Sequence, residues 1–270
     1  MNQTFDLHRF VLTVQLEIAE KGRNYLLIAS LLLVLLLLLM APVGLSTEYS
    51  NIKELLHILA LFMIVLFGSS LYSSFAFSQY ASAATGIAAI MVPASATEKF
   101  LSSLFLNLIF VVPFALLFYK MHVWTIEYAN MQLPASSRKF HTIPEMPLRY
   151  SFLFYFIING AAFLGSLFFQ KASYVKTAST LVGLYLVTGI IHISLASYFT
   201  DYPAKVVSFP ISNWQVWTHG DVSGKGAAMA ATYFTVDFPP TIFILIQCFP
   251  AVIVLVLWIA SFLRLREKEI

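Results

Sequence analysis

Six stretches of the chain carry no Asp, Glu, Lys or Arg: residues 24–47, 55–78, 100–119, 150–170, 177–200 and 238–263. Each holds about 20 residues or more, the length an α-helix needs to cross ~30 Å of hydrocarbon at 1.5 Å per residue. Their apolar residues run on unbroken, as in 31–39, without the alternation of a barrel strand. The pattern predicts an all-α polytopic membrane protein, one transmembrane domain over 1–270. Its spans are expected at about 25–45, 55–78, 100–119, 150–170, 177–199 and 239–263.

The polar intervals predict the rest. In residues 1–24, Leu7, Phe10, Val11, Val14 and Ile18 share one helical face, while Asp6, Arg9, Thr13, Glu17 and Glu20 occupy much of the remainder. This pattern predicts an amphipathic helix lying in the membrane interface, with the chain turning at 21–24 into span one. Residues 79–100 interrupt the first two spans and the third. A short apolar segment, 87–92, breaks at Pro93 and restarts as Ser95-Ala96-Thr97-Glu98. Ser followed three residues later by Glu is a capping box, so a helix is expected to begin near Ser95 and carry Phe100 into span three. Pro113 should bend that span. Segments 120–149 and 200–238 read as loops outside, and residues 170–176 as a tight hairpin inside with Lys171 and Lys176. Trp124, Tyr128 and Tyr150 suit the headgroup belt. Gly68 with Ser69, Ser70, Ser73 and Ser74, and Gly183 with Thr188 and Gly189, suit close helix packing in lipid.

Composition sharpens the class and narrows the chemistry. Hydrophobic residues make up 59% of the chain and charged ones 11%, against about 25% charged in soluble domains. Mean hydropathy is +0.81. The net charge of +3 comes with no basic cluster to follow a phosphate backbone, so nucleic acid is not an expected partner. With both termini inside, nine of the Lys and Arg residues fall in 1–24, 79–99, 171–176 and 264–270, against seven outside, which favours that orientation. The first apolar run is longer than the core of a signal peptide and reads as a retained span. Cys248, the single cysteine, reads as a packing residue of the last span, with no disulfide and no cysteine metal site. His57 and His192 each read as structural, since neither has a second ligand at i+3 or i+4. The run 220–226 looks like a phosphate-binding loop, but its glycine spacing is one short and Gly follows Lys225. No Asp, Glu, Lys or Arg lies in the middle of a span, and no HExxH or GxSxG occurs. No catalytic residue, metal or cofactor is therefore expected, and any energy for movement would come from another subunit.

Six spans, an interfacial helix before the first, and a short cytoplasmic segment M-V-P-A-S-A-T-E-K-F-L between spans two and three together resemble the permease subunit of ABC-2-type ABC transporters. Pro93, Ser95, Glu98, Lys99 and Phe100 carry the likeness. The hairpin 168–177 and the tail 262–268 add to it. The resemblance implies a bacterial inner-membrane protein whose cytoplasmic coupling-type helix meets a separate ABC-type ATPase subunit. It also implies a homodimer or heterodimer with a second permease chain. Partner-coupling residues would be Ile90, Met91, Pro93, Ser95, Thr97, Glu98, Lys99, Lys171 and Lys176. ATP-driven movement of 79–100 would then tilt spans two and three against one and five. Two rivals stand beside this: a non-transporting accessory or scaffold protein, and an intramembrane enzyme using His192 and the serines of span two.

Overall fold

A computed structural model of the chain describes residues 5–81, 83–143, 145–169, 171–201, 205–207, 214–217, 233–237 and 239–268. Seven helices dominate: α1 Leu7–Gly44, α2 Asn51–Ser74, α3 Ala83–Met91, α4 Ala96–Gln132, α5 Glu145–Phe168, α6 Ser173–Phe199 and α7 Pro240–Lys268. Six helical stretches, lying in all of these except α3, are long and apolar enough to cross a membrane. The fold is that of a polytopic membrane protein. Two compact units divide the chain: residues 1–178 with 253–270, and residues 179–252.

Several boundaries differ from expectation, for related reasons. The interfacial helix and span one are a single helix of 38 residues. The chain does not turn at 21–24, because one glycine costs a helix only about 1 kcal/mol and Glu17 and Lys21 pair across one turn (3.3 Å) just before it. Asp6 starts this helix, its Oδ1 accepting the amides of His8 (2.7 Å) and Arg9 (3.1 Å). Span three runs on as α4 to Gln132, 37 residues in all, so 120–132 is helix and not loop. Lys120 and Glu127 point outward from it, and no proline intervenes before Pro134. Span two begins at Asn51, taking in Lys53 and Glu54. The tail beyond 263 stays helical to Lys268, with Arg264 and Glu267 paired at 2.6 Å. Charged residues ended the expected spans, but charge on an outward face does not end a helix.

The all-α reading is also corrected. In the second unit, β1 Lys205–Val207, β2 Trp214–Trp217 and β3 Tyr233–Val236 form an antiparallel sheet in that order. Lys205 pairs with Trp217 in register and sets its ammonium 5.1 Å over the indole ring. These strands have three or four residues, too short to show alternation. The stretch 220–226 lies outside the described residues.

Within the first unit, α1 and α4 run side by side in the same direction. Asp6 and Arg9 meet Glu98 at one end, and Val43 packs with Ile126 and Ala129 at the other. Leu32, Leu36 and Met40 of α1, Ala60, Leu61, Ile64, Val65 and Leu66 of α2, and Val111, Phe114 and Phe118 of α4 make the central core, closed by Tyr155 of α5. Helix α2 is wound as a π-helix over Ala60–Gly68. Gly68 permits its close approach to α1, since a Cβ there would lie 2.7 Å from Leu32 Cδ2. Ser69, Ser70, Ser73 and Ser74 are buried, as close packing requires. At the end where both termini lie, Phe77, Tyr80, Phe100, Phe163, Leu167 and Leu265 form a second cluster.

Candidate functional site

The residues of the coupling-type stretch assemble around Glu98. Ser95 caps α4: its backbone is extended, its hydroxyl accepts the Glu98 amide (3.2 Å), and Glu98 Oε2 accepts the Ser95 amide (2.7 Å). The capping box expected from the sequence is thus present. Glu98 Oε1 has a further role, accepting the Asp6 amide (2.7 Å) and ion-pairing with Arg9 Nη2 (3.1 Å). The carboxylate has no accessible surface and joins the start of α1 to the start of α4.

Lys99 faces the other way. It is buried, and its ammonium donates to the Ile90 carbonyl (3.5 Å) near the end of α3. A cation at a helix C-terminus is favourable, so Lys99 ties α3 to α4 across the bend at 92–95. Ala89 of α3 packs on the cluster formed by Phe77, Phe100 and Phe163. That leaves the outer face of α3 uncovered: Ile87, Ile90 and Met91 are 62%, 43% and 77% exposed. Pro93 and Thr97 are exposed beside them.

The nine sequence-derived residues therefore divide by position. Ile90, Met91, Pro93 and Thr97 form surface, while Ser95, Glu98 and Lys99 brace it from within. Lys171 and Lys176 are exposed on the second connection, where the Lys176 ammonium lies 5.6 Å over the Phe169 ring. Arg264 lies 5.0 Å over Phe168, and Lys268 donates to the Tyr80 carbonyl (3.3 Å). The stretch 76–100, the hairpin 168–176, the N-terminal residues and the tail thus gather at one end of the first unit.

Three buried polar clusters were not legible in the sequence. Thr13, Glu17 and Lys21 form a polar stripe on the inward face of α1. Glu17 Oε1 takes the Lys21 ammonium and the Ser103 hydroxyl, and Lys21 also donates to the Ala76 carbonyl (2.6 Å) just past α2. The apolar stripe of α1 is turned outward, with Leu7, Val11 and Ile18 exposed. At the opposite end, His57 of α2 and His122 of α4 are buried with their Nδ1 atoms 2.8 Å apart. His57 is therefore not alone. Its partner lies 65 residues away, beyond the reach of a spacing argument. Below this pair, Ser73 bonds Asn107 and Asn159 (both 2.8 Å) across three helices.

Outside the spans, two groups titrate away from their ordinary values. The amides of Arg9 and His8 hold the Asp6 carboxyl below its ordinary range. The bond from Tyr49 to Glu54 (2.6 Å) pushes the Tyr49 phenol up. Among the described residues no group of three His, Cys, Asp or Glu side chains is placed to hold a metal ion. In the second unit, Trp214 donates to His192 Nε2 (3.4 Å) and stacks on Phe199. Cys248, read as a packing residue, is exposed on α7, an outward position suited to lipid. Comparisons with family models, with curated proteins and with solved structures find no match.

Proposed function

We propose that the chain is the membrane-spanning permease subunit of an ATP-driven transporter of the ABC-2 type. In this reading it sits in a bacterial inner membrane with both termini in the cytoplasm. An ABC-type ATPase subunit docks on α3, and a second permease chain completes the pathway as a homodimer or heterodimer. One observation carries the reading: a nine-residue helix sets Ile87, Ile90 and Met91 outward while Lys99 ties it to α4, whose start Glu98 joins to α1. Covering each such side chain contributes about 1.5–3 kcal/mol. A partner that closes on ATP shifts helix populations only through differential contact. A braced surface provides that contact, whereas a slack loop would absorb the motion. This chain supplies no chemistry. ATP hydrolysis belongs to the partner.

The test is co-purification with a soluble ATPase chain bearing GxxxxGK[ST], followed by ATP-dependent transport in vesicles. Met91→Glu and Ile87→Glu should each lower ATPase recovery at least about tenfold while the permease still elutes as a folded species. If no such ATPase associates, or both variants retain it fully, the reading is wrong and an accessory or scaffold role takes its place. The intramembrane-enzyme alternative draws no support from the serines. Ser69, Ser70 and Ser74 donate to carbonyls of their own chain segment, and Ser73 is hydrogen-bonded to the two asparagines.

A further inference from the structure

The geometry points to a pH-sensitive clasp at the end of the bundle opposite the termini: the His57–His122 pair holds the strap 134–143 across α2 and α4, and protonation releases it.

The strap follows α4 and folds back over it. Asn130 bonds Phe140 in both directions, its Oδ1 accepting the amide (2.8 Å) and its Nδ2 donating to the carbonyl (2.9 Å). Lys139 donates to the carbonyls of Asn130 and Leu133 (both 2.8 Å), closing the end of the helix. Further along, His141 gives its amide to Glu54 Oε1 (3.2 Å), and Ile143 gives its amide to His122 Nε2 (3.0 Å). The last bond fixes the proton inventory. A ring nitrogen that accepts carries no proton, so neutral His122 holds its proton on Nδ1. That proton is the one between the two Nδ1 atoms, and His57 must accept it. The proton of His57 then sits on Nε2, and the ring also interacts with the Met40 backbone.

This arrangement has room for no further proton. Adding one to His122 Nε2 removes the acceptor for Ile143. Adding one to His57 Nδ1 sets two N–H groups against each other across 2.8 Å. Either way a bond of the clasp breaks.

The surrounding charges do not compensate. On α2, Glu54 lies one turn from His57, but its carboxylate is engaged by Tyr49 and His141, and Lys53 is turned to Ser46 (2.6 Å). On α4, Lys120 and Glu127 are exposed. From α1, the Met40 backbone faces the His57 ring, while the buried Met40 and Val43 side chains are apolar. On the strap, Arg138 lies 4.7 Å over Tyr49, and Lys139 is held by carbonyls. His141, mostly exposed, lies 3.5 Å from Glu54 and gains attraction to it when protonated. That contact opposes release, so the readout must be the Ile143 amide itself. Histidine is the side chain that changes charge between about pH 5 and 8, and this holds whether or not the chain partners an ATPase.

The experiment is hydrogen exchange on the full chain in detergent, with amide protection at 139–143 corrected for intrinsic exchange at about pH 7.5 and about pH 3.5. Protection of Ile143 should fall at least about tenfold in acid. In His122→Gln the amide oxygen accepts from Ile143 and the NH₂ donates to His57, so protection should persist at both pH values. Equal protection of the wild type at both pH values overturns the proposal, as does an unchanged acid loss in His122→Gln. If that variant fails to fold, nitrogen NMR of the wild-type histidine rings decides. One ring protonated on Nδ1 at neutral pH supports the clasp, and Nε2 protonation of all rings overturns it.

Discussion

Replacing Glu98 with glutamine tests the brace behind the exposed face of α3. The carboxylate accepts two backbone amides and one guanidinium. An amide side chain keeps one acceptor and turns a donor toward another donor. One backbone N–H, of Ser95 or Asp6, is then left unpaired, at about 1–3 kcal/mol. The surviving bond loses its charge assistance. Arg9 is a third exposed, so its ion pair adds at most about 1 kcal/mol. The total comes to about 2–4 kcal/mol. For a chain of this size that lowers Tm by roughly 5–15 °C. Melting of the purified protein in detergent, followed by circular dichroism, reads the shift. Hydrogen exchange should rise at 6–10 and 92–98 in the same variant, and Arg9→Ala should cost about 1 kcal/mol or less. The reasoning fails if Glu98→Gln melts within about 1 °C of wild type, or if Arg9→Ala is as costly.

Lys21→Met strands the buried Glu17 carboxylate and should destabilise by about 3–5 kcal/mol, while the double variant Glu17→Gln with Lys21→Met recovers most of it. A double-mutant cycle of melting temperatures measures that coupling. Gly165→Ala would place its Cβ 1.9 Å from Thr177 Oγ1, a cost of about 1–3 kcal/mol. Adding Thr177→Ala should relieve part of it in the same melting assay. Asp6 titrates below its ordinary value of 3.8 because its carboxylate caps α1. Its contribution is therefore fully present above 3.8 and lost as pH falls through the lower folded value. Protection of the His8 and Arg9 amides, corrected for intrinsic exchange, should stay flat from neutral pH down to that point and fall only below it, and Asp6→Asn should remove the dependence.

How much of this was legible in the sequence depended on range. Uncharged runs mark six spans because lipid forbids charge in the middle of a helix, and Ser95 with Glu98 marks a helix start because both bonds close within four residues. The same charge rule misplaced the ends. Lys120, Glu127, Arg264 and Glu267 sit on helices whose outward faces tolerate them. Glu17 and Lys21 look like the polar side of a surface helix, yet they face inward, since an apolar stripe in lipid has no reason to turn to the core. Links between distant positions left no local trace: the bond from Asp6 to Glu98 spans 92 residues and the histidine pair 65.

The length of α1 has a mechanical consequence. At 1.5 Å per residue, 38 residues make a rod of about 57 Å, nearly twice the hydrocarbon thickness. Its only proline, Pro42, falls in the last turn, whereas α4 carries Pro113 at mid-length. The rod keeps its backbone bonds up to its last turn, while its companion lacks one at Pro113. A tilt of about 5° at Glu98 therefore displaces the far tip of α1 by about 5 Å. There Gly44 meets Thr125, so a tilt applied at Glu98 reaches the C-terminal half of α4 at the other end of the rod.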